Sequence, residues 1–340
     1  MKDVLYLSKL EFSKMFKTKI AKVGIILAFI IMIGLTISEY SDMKRVREYE
    51  SANGTSESWD WREREEYLIS QKESMLSDPY YNESDRKQIE RRVEIAEYRL
   101  EHNITKDYEK NMWWFFADNS FNWVFRFIIL IVVLVGVFNV SSEYNNKTIN
   151  MWLVSPYKRW KVLTSKYLAI IGYGAIILGI VLFMGLLSGI IIHGFDRVSS
   201  EAILYGVNGP YTISTALYSI VIVLLKLVEL IFSISLAFMI SVLLKSVSFA
   251  TITSIVTIFV ISPVVLYGGK MMDYLNYLPF NHLDFRKFLD FGTILPNVNN
   301  DFDSIIIQGF TPTIASLIIM LYISMFMSIT YGVFCKRDVI

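Results

Sequence analysis

A chain of 340 residues that is 54% hydrophobic and only 19% charged, with a mean hydropathy of +0.43, is too apolar for an ordinary soluble domain. The net charge of +1 decides little by itself, because the charges are unevenly placed, and no nucleic-acid partner is expected. A single cysteine, Cys335, excludes an internal disulfide and a cysteine-rich metal site, and three scattered histidines argue against a histidine cluster.

Residues 1–19 are apolar at Leu7, Leu10 and Phe16 with lysines between, a pattern that predicts an interfacial helix at the cytoplasmic face. A helix crosses the hydrocarbon core with about 20 apolar residues. Six stretches meet that length, at 20–38, 121–141, 167–192, 216–244, 247–268 and 313–334. The first runs directly into Glu39, Tyr40 and a charged region without a small-residue cleavage site, so it reads as an anchor. Basic residues crowd one set of flanks, at Lys14, Lys17, Lys19, Lys22, Lys158, Arg159, Lys161, Lys336 and Arg337. The opposite short loops hold only Arg197, Lys270, Arg286 and Lys287. This asymmetry places both termini in the cytoplasm of a multi-pass cell-membrane protein.

Residues 41–112 form an extracellular domain. Its two helical stretches flank the turn signal Asp78-Pro79-Tyr80-Tyr81-Asn82, and the second carries Ile89, Val93, Ala96 and Leu100 on one stripe, so a helical hairpin is predicted. Trp113-Trp114-Phe115-Phe116 and Trp123 then read as an aromatic belt at the outer interface. The loop 193–215 is a turn cluster around Gly206, Asn208, Gly209 and Pro210. Residues 270–311 alternate apolar and charged groups as short amphipathic helices do. The fold class is thus all-α: a polytopic membrane protein with six transmembrane helices, an interfacial amino-terminal helix and an extracellular helical hairpin.

Three charged residues fall inside the apolar runs. Arg126 lies near the outer end of span two, where its long side chain can snorkel. Lys226 and Glu229 stand three apart on one face of span four, with apolar sequence on both sides. They read either as a polar contact on a translocation path or subunit interface, or as a pair that neutralises itself to permit insertion.

No GxxxxGK[ST] phosphate loop, HExxH or GxSxG motif occurs. The segment 142–166 between spans two and three is instead rich in charge and aromatic groups: Glu143, Tyr144, Lys147 and Thr148, the apolar patch 151–154, a break at Ser155-Pro156, and Tyr157 to Lys161 beyond it. Its order of Glu-Tyr, Thr148, Ser-Pro, Arg159 and then Lys166 opening span three resembles the membrane subunits of type-2 ABC exporters, the permease chains of bacterial ABC transporters. The whole six-span layout is similar as well, although compact members of that family lack the outer domain.

The resemblance implies a permease subunit with no catalysis and no cofactor of its own. ATP and Mg would sit on a separate ABC ATPase, and a second permease copy or a sister chain would complete the path. Glu143, Tyr144, Lys147, Thr148, Pro156 and Arg159 would lie at or near the ATPase contact, and cargo would be an amphipathic peptide, a lipid or a drug-like molecule. Clearing an antimicrobial peptide from the membrane fits the same mechanism. The rival reading is a membrane sensor or scaffold with the outer domain as receptor.

Overall fold

Lipid offers the backbone no hydrogen-bond partner, so an apolar chain in a bilayer satisfies its amides within helices. The computed structural model, which describes residues 2–52, 61–80, 83–104, 112–117, 120–146, 148, 157–195, 201–206, 209–269, 272–285 and 311–336, is predominantly helical. Six of its helical segments are long and apolar enough to cross a membrane, as a multi-pass membrane protein requires: Lys19–Arg45, Ser120–Asn145, Arg159–His193, Thr215–Leu244, Val247–Leu266 and Thr313–Cys335.

Helices α1 (Lys2–Lys17) and α2 (Lys19–Ala52) are separated at Thr18, whose hydroxyl donates to Met15 O and accepts from Ala21 N, capping the start of α2. Both then run along α8 (Arg159–His193). Asp3 meets Lys161, Glu11 meets Lys166, Phe12 lies against Gly172, and the Phe16 ring is 5.4 Å from that of Tyr173. Contacts that advance together along both helices mean that α1 stands lengthwise beside the first third of α8. Its buried stripe of Val4, Leu7, Glu11 and Met15 is matched to helices of the bundle, while Leu5, Tyr6 and Leu10 stay exposed. Farther along, Tyr173 donates to Ala21 O at 2.9 Å, and His193 Nε2 lies 3.6 Å from the Glu39 carboxylate. The rise between those two levels is about 27 Å along α2 and about 30 Å along α8, the thickness of a hydrocarbon core.

Beyond α2, α3 (Trp61–Ser70) and α4 (Lys72–Ser77) pack on α5 (Glu83–Glu101). Val93 and Ala96 are buried there, and Arg99 donates to Glu65 at 2.5 Å between side chains that are both almost fully enclosed. Helix α5 also touches a β-hairpin where the sequence predicts a turn cluster. Strands β1 (Glu201–Gly206) and β2 (Gly209–Ser214) pair antiparallel with Gly206 opposite Gly209, and Gly209 adopts φ +108°, a conformation glycine alone takes readily.

An aromatic segment precedes α7 (Ser120–Asn145). Met112 lies against Gly189, and Phe115 of the short helix α6 (Trp114–Ala117) lies against Gly185, about one and two turns inside the end of α8. Phe115, Phe116 and Phe121 are buried together, ring centroids 5.4 to 5.6 Å apart. Helix α9 (Thr215–Leu244), capped by Ser214, packs between α7, α8 and α12 (Pro312–Cys335). The fifth span is α10 (Val247–Ile255) and α11 (Ser262–Gly268) joined by a π-helical stretch, Val256–Ile261, a feature that hydropathy does not signal.

Glycines 185 and 189 let the aromatic segment approach α8. A methyl group at Gly189 collides with the Met112 carbonyl, whereas one at Gly179 meets open space. Gly189→Ala is expected to lower stability by about 1–2 kcal/mol, overpacking outweighing the gain in helix propensity, while Gly179→Ala is neutral or stabilising. Thermal unfolding of the purified protein in detergent checks this, and equal midpoints for the two variants would refute it.

Candidate functional site

Among the described residues, two groups of charged side chains sit within the bundle, one at the α1 end and one at mid-span. The first centres on Lys166, one turn into the buried part of α8 and 1% exposed. Its ammonium donates to Glu11 Oε1 at 2.9 Å and to Glu143 Oε1 at 2.8 Å, and both carboxylates are themselves buried. Lys14, half exposed, donates to the same Glu143 oxygen. Burial acts to lower the Lys14 pKa, but its hydrogen bond to Glu143 and the charges of Glu11 and Glu143 raise it above the usual lysine value. Its contribution is present below the ordinary lysine pKa and is lost only as pH rises through the raised value. At the edge of this group Lys161 bonds Asp3 at 2.6 Å and holds that carboxyl below its ordinary value.

Local sequence explains the arrangement. Glu143 is the last acid of α7, Lys166 falls two turns into α8, and Glu11 takes one position of the otherwise apolar stripe of α1. The two ends of the 142–166 segment are thereby joined directly through Glu143 and Lys166. Farther out the segment's return is tied to the last helix: Arg159 Nη1 donates to Cys335 O at 3.1 Å, capping the carbonyl end of α12, and Thr164 and Tyr331 hydroxyls are 2.6 Å apart.

Of the residues expected at an ATPase contact, Glu143 points inward into this ion cluster and Tyr144 packs against the core. Thr148 Oγ1 donates to Glu143 O at 3.4 Å, closing the end of α7. Arg159 is partly exposed beside Lys158 and Trp160, which are exposed. Lys147 and Pro156 lie outside the described residues. Glu11 and Lys14 were not anticipated; the readable signal is an acid at a core-facing position of an amphipathic helix.

The second group centres on Lys226 of α9, also buried, which donates to Glu229 Oε2 at 2.9 Å one turn on and to Asp284 Oδ1 at 3.4 Å. The Phe125 ring of α7 lies 5.4 Å from its ammonium. Asp284 follows two 3₁₀ turns, Asp273–Tyr277 and Pro279–His282, that fold back into the bundle. Phe280 packs on Phe232, which in turn meets Phe326 of α12. Buried His282 contacts Asn276 O at 2.6 Å, and Asn281 donates to Asn276 Oδ1 and Leu275 O, so the fold-back carries its own polar staples. Arg126 is not part of this group. It is exposed, with its guanidinium carbon 6.0 Å from the Trp123 ring one turn toward the start of α7.

Lys166→Met leaves two buried carboxylates without their shared cation and is expected to destabilise by about 3–5 kcal/mol. Lys14→Met removes a half-exposed partner and should cost under about 1 kcal/mol. Denaturation of the two variants side by side checks the order, and equal losses would remove Lys166 from the centre of the cluster.

Residues 85–340, more than half of the chain, match the family described as Protein of unknown function (DUF2705). The chain is also similar to the Bacillus subtilis (strain 168) protein described as "Uncharacterized protein YhcI", 25% identical over 250 residues that cover 73% of this chain and 75% of that protein. No solved structure matches the chain. With the matched region holding both the Glu143–Lys166 link and the Lys226 group, the chain belongs to the DUF2705 family.

Proposed function

We propose that this chain is the permease subunit of an ABC exporter, set in the cell membrane with both termini cytoplasmic. The observation that carries the reading is the closure of segment 142–166. Its roots are bonded to each other through Glu143 and Lys166, to α1 through Glu11, Lys14 and Asp3, and to α12 through Arg159 and Thr164. A soluble partner pressing on that segment moves four helices as one body, which a rigid-body switch between two arrangements of the spans needs. The basic flanks at this end support its cytoplasmic placement. In this reading ATP and Mg bind a separate ABC ATPase, a second permease copy or sister chain completes the path, and the cargo is amphipathic.

Glu143 is buried in the ion cluster. Its reversal breaks the ion cluster, so loss of a partner after Glu143→Lys reports folding. Lys158 and Trp160 are exposed at the same segment and carry no such load. Affinity capture of the tagged chain from its native host in mild detergent should bring down an ABC ATPase. Lys158→Glu/Trp160→Ala should reduce the captured ATPase at least tenfold without moving the unfolding midpoint. Capture without any ATPase would overturn the exporter reading and leave the sensor or scaffold in its place.

A further inference from the structure

Far from the α1 cluster along the bundle, a groove of about 190 Å³ takes Trp113 and Phe116 from the aromatic segment, Leu182 and Leu186 from α8, and one side of α9 between Ser219 and Leu224. Leu182 and Leu186 precede the end of α8 at His193 by eleven and seven residues, about 16 Å and about 10 Å along the axis. Ser219 and Leu224 follow the start of α9 at Thr215 by four and nine residues, about 6 Å and about 14 Å. The Tyr173 and His193 levels of α8 bound a hydrocarbon layer about 30 Å thick, so the groove lies among the lipid tails of the leaflet on the His193 side.

What fills it follows from its lining. Water in such a space needs about two to four polar partners. The lining hydroxyl, that of Ser219, donates to Thr215 O at 2.8 Å within its own helix, and the other α8 and α9 side chains there are aliphatic. An unfilled groove leaves its walls without dispersion contacts on one side. Its mouth is continuous with the lipid boundary, because Ile220 and Leu224 are 54% and 57% exposed on a membrane-spanning helix. The aromatic wall is preformed: buried Phe116 has its ring centroid 5.4 and 5.6 Å from those of Phe115 and Phe121, and Phe115 is seated on Gly185. A cavity of roughly 150 Å³ holds a benzene, so this one takes a run of about seven or eight carbons. That run is of the same order as the rise from Ser219 to Leu224, about 8 Å. We propose that the groove seats one acyl chain of a membrane phospholipid, packed against α8, α9 and the aromatic segment while its headgroup stays at the surface. The seat is independent of the exporter reading, since neither ATPase nor cargo takes part in it.

Native mass spectrometry tests it by counting the phospholipids that the full chain retains when released from dioleoyl phosphatidylcholine nanodiscs into mild detergent. Val223→Trp fills the groove from α9, whereas Phe183→Trp adds bulk at an exposed position beside Leu182 that is not part of the lining. The parent chain should retain phospholipid. Val223→Trp should lower the occupancy of the most tightly held adduct at least fivefold, and Phe183→Trp should leave it unchanged. Ile220→Trp, at the exposed mouth, serves if Val223→Trp does not fold. The same drop is expected in phosphatidylglycerol nanodiscs, because the seat reads the chain and not the headgroup. Equal occupancy in the parent and both groove variants overturns the proposal, as does a parent that retains no phospholipid. A drop confined to the anionic lipid also overturns it, since the headgroup is then what is bound. The count needs no partner protein, so it succeeds or fails separately from the capture experiment.

Discussion

A buried ammonium shared by two buried carboxylates is the constraint on which the rest of this molecule hangs. Removing three charges from water is costly, and the cost is offset only if all three arrive at one point in good geometry. Lys166 meets that condition with bonds of 2.9 and 2.8 Å to Glu11 and Glu143. Each charge belongs to a different helix, so satisfying them sets three registers at once: α1 against α8, α7 against α8, and α1 against α7. The lengthwise packing of α1, which its amphipathic pattern alone would not have selected over a lipid surface, follows from the same pairing.

The mid-span group obeys the same electrostatics with a different result. At the α1 end both carboxylates of the cluster are buried; around Lys226 the Asp284 carboxylate, which bonds it, stays partly exposed. Rigid neighbours keep it there: the Phe232, Phe280 and Phe326 stack fixes the fold-back, and Gly185 and Gly189 fix the aromatic segment whose last rings run on through Phe121 to Phe125, beneath Lys226. The molecule thus combines an ion cluster that ties three helices at one end with a mid-span polar group that reaches the surface.

What the sequence alone reveals divides along locality. The six apolar helices were legible because length and hydropathy are properties of each segment by itself. The Lys226–Glu229 pair was legible because three residues make one helical turn. Asp284, 58 residues beyond Lys226, and Glu11, 155 before Lys166, were not, because only the tertiary fold brings them together. The hairpin at 201–214 was signalled by Asn208-Gly209 but hidden by reading that loop as punctuation between spans. Glu143 stands out in the sequence only by its place in a segment order, which carries no information about which way a side chain faces. Its inward turn became visible only with its partners.

The span of chain between Glu11 and Lys166 also has a consequence in time. A ribosome adding roughly 5–20 residues per second makes Lys166 on the order of ten to thirty seconds after Glu11. Through that interval the core-facing carboxylate of Glu11 lacks the cation that it bonds in the finished fold, while the spans it will join are still being inserted. The ion cluster that fixes α1 against α7 and α8 is therefore completed only after the third span has begun, so the register of the amino-terminal helix is among the last features of this end to be set.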